Sequence, residues 1–142
     1  MKKYVITAVY KHTRTEYKIE IFADEAEKSP YVFLTTYIRE NRYNAGDKNH
    51  FKAFQKLRDQ ILGDGYILNC CGALKNAVQS GAQQTNDKIY LAEIGRGVSA
   101  EDEVSIYDYA QAENYTDTYE QDKFCSKWTK SLGKLNKIEG KQ

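Results

Sequence analysis

The sequence predicts an α+β fold: a single domain built on a mostly antiparallel sheet of about 5–6 strands, with two helices packed on one face. Three observations carry that expectation. Residues 16–22 alternate strictly, with Tyr17, Ile19 and Ile21 set against Glu16, Lys18 and Glu20. That is the period of a strand with one buried and one wet face. Phe51, Phe54, Leu57 and Ile61 recur at helical spacing and draw one apolar stripe. Successive strand-like runs are joined by short turns, which favours antiparallel pairing over repeated βαβ units.

The elements follow in order. Residues 3–10 and 16–22 form an antiparallel hairpin across His12-Thr13-Arg14-Thr15, without an Asn-Gly signal to set the loop length. A polar, acidic stretch at 24–29 precedes Pro30, the sole proline, and residues 31–38 read as a third strand. Residues 39–49 read as a polar connection containing Gly46. A helix then starts at Asp47 or Asn49, both good N-caps, and closes at Gly63 and Gly65. Residues 66–71 are the fourth strand and 74–79 a short fifth. Residues 88–95 and 104–109 are further strands, the last setting Val104, Ile106 and Asp108 against Ser105, Tyr107 and Tyr109. The final helix starts near Asp117, where Asp117-x-x-Glu120 has the form of a capping box. Its stripe is Phe124, Trp128 and Leu132, with Cys125 beside them, and Gly133 is its natural C′ residue. The domain therefore covers 1–133, and 134–142 is a basic polar tail.

Bulk composition narrows the function classes. A chain of 142 residues fits one domain. At that size it buries about two-thirds of its unfolded surface, so no disulfide, metal or cofactor is expected. A formal net charge of +1 argues against direct electrostatic binding of nucleic acid. No apolar run approaches the roughly 20 residues that span a bilayer. The run after Met1-Lys2-Lys3 is too short for a signal peptide. Three cysteines without a secretory context predict free thiols and a cytoplasmic location.

The sequence holds no catalytic signature. Cys70 and Cys71 are adjacent, so in a strand they point to opposite faces and could not share one metal. They read as small core residues. His12 and His50 sit in no nucleophile motif, and P-loop, G-x-G-x-x-G and H-E-x-x-H patterns are missing. Gly95-Arg96-Gly97 reads as a turn. The expectation is therefore a protein that is not an enzyme.

The charge pattern is more informative. Residues 101–122 contain eight acids and no Lys or Arg, whereas six lysines follow Asp122. Tyrosines are interleaved among the acids. Asp102, Glu103, Tyr107, Asp108, Tyr109, Glu113, Tyr115, Asp117 and Tyr119 form the candidate partner-binding set. Acids steer the encounter with a basic cleft, and aromatic rings supply anchors. The ordinary reading is a solvated surface with acids favoured near a helix N-terminus. The functional expectation is an immunity protein that neutralises a bacterial toxin, such as a nuclease. One alternative is a small-molecule or nucleotide-binding module of phage or bacterial defence systems, using the Ser80-Gly81 turn, Arg96 and nearby tyrosines. Another is a hydrolase or transferase with dispersed carboxylates or a reactive Cys71.

Gly65-Tyr-Ile-Leu, Gly72-Ala73, Val78-Gln79-Ser80-Gly81 and Tyr90-Leu-x-x-x-Gly95 occur in that order, followed by Val104-Ser-Ile-Tyr-Asp108 and by Glu120-Gln-x-x-Phe124-x-x-x-Trp128-x-x-Ser131-Leu132. This arrangement resembles a group of small, functionally uncharacterised bacterial cytosolic proteins with a G-A-x-x-x-V-x-P-S-G-M-like turn and a C-terminal E-Q-x-x-F-x-x-W-x-x-S-L helix. The likeness covers about residues 51–132. It departs at Cys71, Gln79 and Ala82, where the group has Gly or Asn, Pro, and Met. It implies a fold more than an activity.

Overall fold

The computed structural model describes residues 1–25, 30–84, 86–113 and 115–139, the last six as backbone only. Strands β1 (Lys2–Tyr10), β2 (Thr15–Glu25), β3 (Val32–Ile38) and β4 (Asn41–Asp47) run as a meander. Helix α1 (His50–Gly63) follows, then β5 (Tyr66–Asn69), which pairs back onto β1. The resulting antiparallel sheet has the order β4-β3-β2-β1-β5. A second antiparallel sheet, β6-β7-β8, is built from β6 (Ala77–Val78), β7 (Lys88–Leu91) and β8 (Glu103–Ser105). Helix α2 (Thr118–Glu139) closes the described chain. The protein is a single-domain α+β fold.

The alternation of β2 sets its register. Ile6 lies opposite Ile19, Ala8 opposite Tyr17 and Tyr4 opposite Ile21, so one face of the hairpin is apolar. That face, with Leu34, Ile38 and Leu68, is buried under α1. Phe51, Phe54, Leu57 and Ile61 fill the space between helix and sheet. Fully burying each such side chain stabilises the fold by about 1.5–3 kcal/mol. Asn49 caps α1 by accepting from the Lys52 amide at 3.2 Å. Gly65, at φ +93°, then turns the chain into β5. The opposite face of the sheet leaves Val5, Phe33 and Tyr37 exposed.

Several expected elements are corrected. The polar connection 39–49 contains β4, an edge strand that buries Tyr43. Its hydrogen bonds come from β3 and from α1: Gln60 Nε2 donates to the Asn44 carbonyl at 2.9 Å. The strand at 66–71 stops at Asn69, and Cys71–Ala73 is a 3-10 turn. The strands at 74–79, 88–95 and 104–109 shorten to β6, β7 and β8. β8 ends early because the Asp108 carboxylate accepts from the Ser105 amide at 3.0 Å, bending the chain at Ile106-Tyr107. α2 runs through Gly133 to Glu139, so the expected tail begins as helix, and residues 140–142 lie outside the described set. So do 26–29 of the acidic stretch, while Asp24 and Glu25 belong to β2.

α2 docks beside the larger sheet, against α1 and β6. Its anchor is Gln121, which is fully buried, while Phe124, Trp128 and Leu132 are half-buried. Gln121 Nε2 donates to the Gly72 and Leu74 carbonyls, each at 2.8 Å, and its Oε1 accepts from Arg58 Nη2 at 2.6 Å and Gln55 Nε2 at 3.0 Å. Gly72 is required at this junction. A Cβ there would stand 2.5 Å from Ile106 Cγ2 and 2.9 Å from Phe54 Cε1.

Candidate interaction surface

The acidic segment is fixed in place by its backbone. The Cys71 amide donates to the Asp108 carbonyl at 2.8 Å, and Tyr109 makes a β-bridge with Cys70. The Ala112 amide donates to Asn69 Oδ1 at 3.2 Å, and Lys11, just beyond β1, stands 5.4 Å from the Tyr115 ring centroid. These contacts lay residues 108–112 along β5, which would otherwise be an open sheet edge, and set Tyr115 beside Lys11. The Thr118 amide then donates to Asp59 Oδ1 at 3.1 Å, tying the start of α2 to α1. Asp117 caps α2 by accepting from the Glu120 amide at 2.9 Å.

The candidate residues divide into three groups. Asp108, Tyr109, Glu113, Tyr115 and Tyr119 all face solvent on this fixed segment, with the three tyrosines 73%, 74% and 66% exposed. Along the chain they make an exposed acidic, aromatic strip that runs from the β5 edge to the first turn of α2. Lys123 stands 5.4 Å from the Tyr119 ring centroid, so that ring is already stacked by a cation at the strip's end. Asp102, Glu103 and Asp117 are committed to local bonds, and Asp108, though exposed, also spends one carboxylate oxygen on the Ser105 amide. Asp102 accepts from the Ser99 amide at 2.8 Å and from Arg96 Nη2 at 3.0 Å. The Ser99 amide and the Arg96 guanidinium hold its carboxyl below the usual aspartate range. Glu103 accepts from Gln83 Nε2 at 2.9 Å.

Tyr107 is the correction in this set. The turn that ends β8 swings its ring inward, and it is buried. Its hydroxyl lies 2.8 Å from His50 Nε2, and its ring stacks on Tyr4 with centroids 3.9 Å apart. Burial pushes its phenol well above the ordinary tyrosine value. His50 is itself fully buried. Burial depresses its pKa, against the opposing pull of Asp87 and Glu25. Its Nδ1 has no hydrogen-bond partner among the described residues, and Glu25 Oε1 is 4.0 Å away. His12 sits against Tyr10 at the hairpin turn.

The thiols behave as core groups. Cys70 is buried, and burial pushes it up to about 12; Cys71 is also buried, and its pKa is raised by burial and then by Asp108. Among the described residues no group of three or more His, Cys, Asp or Glu side chains is placed to hold a metal ion. Among the same residues no helix is long and apolar enough to cross a membrane.

The Ser80-Gly81 turn lines a groove, but its expected companions are elsewhere. Arg96 is held by Glu93 at 3.2 Å and by Asp102, and no tyrosine lines the groove. The groove brings together residues distant in the sequence, notably Gln55 and Gln121. Sequence reading missed them because each is a lone amide within a helical stripe. No protein-family model matches this chain, and no curated protein matches it.

Proposed function

We propose that this protein is a non-enzymatic binding protein that blocks a partner protein, most concretely a cytoplasmic immunity protein that neutralises a bacterial toxin. The observation that carries this reading is the strip itself. Three tyrosines and two carboxylates face solvent on a backbone fixed at both ends to β5 and α1. A fixed strip loses little conformational entropy on binding. Exposed tyrosines anchor an interface, and acids attract the basic cleft of a nucleic-acid-cutting toxin. Tyr107 is not part of the contact and serves to hold the turn that presents Asp108 and Tyr109.

The test is capture from native lysate at low and moderate salt. The bait is the native chain, compared with a Tyr109→Ala/Tyr115→Ala/Tyr119→Ala variant and an Asp108→Asn/Glu113→Lys variant, in which the carboxamide oxygen at position 108 still accepts from the Ser105 amide. One stoichiometric protein is expected on the native bait, released by salt, and toxic when expressed without this chain. Loss of a central tyrosine weakens binding by about 2 kcal/mol. The charge changes slow association and flatten its salt dependence. If the charge variant keeps both the affinity and the salt dependence of the native chain, the strip is not the binding surface.

A further inference from the structure

A groove of about 260 Å³ lies between the first turn of α1, the outer side of β6 and the first turns of α2. Its floor is apolar, formed by Phe51, Ala77 and Val78, and its walls are rich in side-chain carboxamides. Those amides are positioned by each other. Asn49 Nδ2 donates to Gln79 Oε1 at 2.6 Å, and Gln79 Nε2 donates to the Gln83 carbonyl at 3.2 Å. Gln55 Nε2 donates to Gln121 Oε1, which leaves Gln55 Oε1 as an acceptor in the wall. Gln84 is exposed at the rim and offers both a donor and an acceptor.

The groove lining has no excess of positive charge to favour an anion: it holds one cation, Lys52, and one carboxylate, Asp122. Arg96, the cation expected to reach a phosphate, is held by Glu93 and Asp102. What remains is a neutral slot with an apolar floor and donor-acceptor amides on its walls. A flat heterocycle with alternating carbonyl and N–H groups along its edge has the matching chemistry, since amides read such edges in pairs. We infer that this groove binds a nucleobase, free or as the uncharged nucleoside. The ring lies on the Phe51–Val78 floor, and its edge is read by Gln55 and Gln84. Occupancy here is independent of any protein bound to the acidic strip.

Cys125 supplies the readout. It lines the groove and is half-buried, whereas Cys70 and Cys71 are buried, so an alkylating reagent reaches Cys125 first. The experiment measures its alkylation rate with the four nucleosides, their 5′-monophosphates and a Gly-Gln dipeptide as protectants, each at millimolar concentration. At least one nucleoside is expected to slow the reaction about fivefold and to raise Tm, with its monophosphate doing no better. A Cβ on Gly81 would meet no atom within 4 Å, and Gly81 lines the groove, so Gly81→Trp, introduced to occlude the mouth, is expected to abolish protection. Gln84→Ala, on an exposed rim residue, weakens protection if Gly81→Trp does not fold. The inference is overturned if no nucleoside protects, if protection survives both variants, if the monophosphate binds markedly tighter, or if only the dipeptide protects.

Discussion

Helices α1 and α2 carry the same marks in the sequence, a polar N-cap and one apolar stripe, yet different forces hold them to the body. α1 buries its stripe completely: Phe54, Leu57 and Ile61 have no solvent exposure. α2 leaves Phe124, Trp128 and Leu132 half-buried and is fastened instead by hydrogen bonds, through Gln121 to Arg58 and Gln55 at its start and through Trp128 and Ser131 to the Gly95-Arg96 turn further on. Periodicity reports which face of a helix is apolar. It does not report whether a surface exists to receive that face. The larger sheet has a buried face that α1 fills, so α2 is left with a flank and two open carbonyls.

The largest effect should come from α1. Phe54→Ala removes a ring that touches Arg58, Tyr107 and the Gly72 junction, and should cost about 3–5 kcal/mol in denaturant unfolding. Gln121→Leu comes next, at about 2–4 kcal/mol, although it adds apolar bulk. It strands the Gly72 and Leu74 carbonyls and removes the nearest acceptor of Arg58, whose Nη1 already has no partner among the described residues. The two variants should differ in kind. Phe54→Ala unfolds the whole domain, whereas Gln121→Leu frees α2 for proteolysis while the five-stranded sheet persists. Adding Arg58→Met to Gln121→Leu should cost less than the two single changes summed: Arg58 Nε keeps its Asp59 partner at 2.8 Å, but its two Nη groups, left short of acceptors by Gln121→Leu, are gone. Additive costs would show that the network does not act as a unit.

The same contrast explains how much was legible beforehand. β1, β2, β3 and α1 followed from alternation and one stripe, because each fills a face of a single core. β4 did not, since Asn41, Arg42, Asn44 and Asp47 are poor strand formers held by β3 and by α1 side chains. The exposed tyrosines of the strip were readable as composition. That Tyr107 turns inward depends on one carboxylate bending the chain after Ser105, which residue type alone does not disclose. The groove was half visible: Ser80-Gly81 stood out, but Gln121 sits between Glu120 and Asp122 on α2 and looks like any solvent-facing amide until Gly72 and Leu74 are brought beneath it.

His50 begins α1 and gives this helix a titratable contact of its own, the bond to Tyr107. Burial holds its folded pKa below the ordinary histidine value of 6.5, with Asp87 and Glu25 opposing the shift and Lys2 adding to it. Above that value both states are neutral at this site and stability is full. As pH falls below it, the unfolded chain takes up a proton that the folded chain refuses, so stability declines until the folded pKa is reached. Urea unfolding from pH 7.5 to 5 should show this loss. A His50→Gln variant, less stable at neutral pH, should have a flatter profile over the same range. Parallel profiles would assign the acid sensitivity to other groups.

The smallest expected effect tests α2 at the position where the sequence reading placed its end. A C′ glycine adopts a left-handed conformation, and alanine there is destabilising. The structure instead carries the helix through Gly133 to Glu139. Gly133 does not have a positive φ, and a Cβ on it would meet no atom within 4 Å. Gly133→Ala should therefore raise stability by about 0.5–1 kcal/mol by limiting the unfolded chain and favouring helix. Among the described residues the attachments of α2 all precede Gly133, the last being Trp128 Nε1 donating to the Arg96 carbonyl at 2.8 Å and Ser131 Oγ accepting from the Gly95 amide at 2.9 Å. The gain should therefore appear more strongly in helical content and in protease resistance after Gly133 than in global unfolding. A loss of helical content would put the end of the helix back at Gly133, and a shorter α2 would still keep its attachments at Gln121, Trp128 and Ser131.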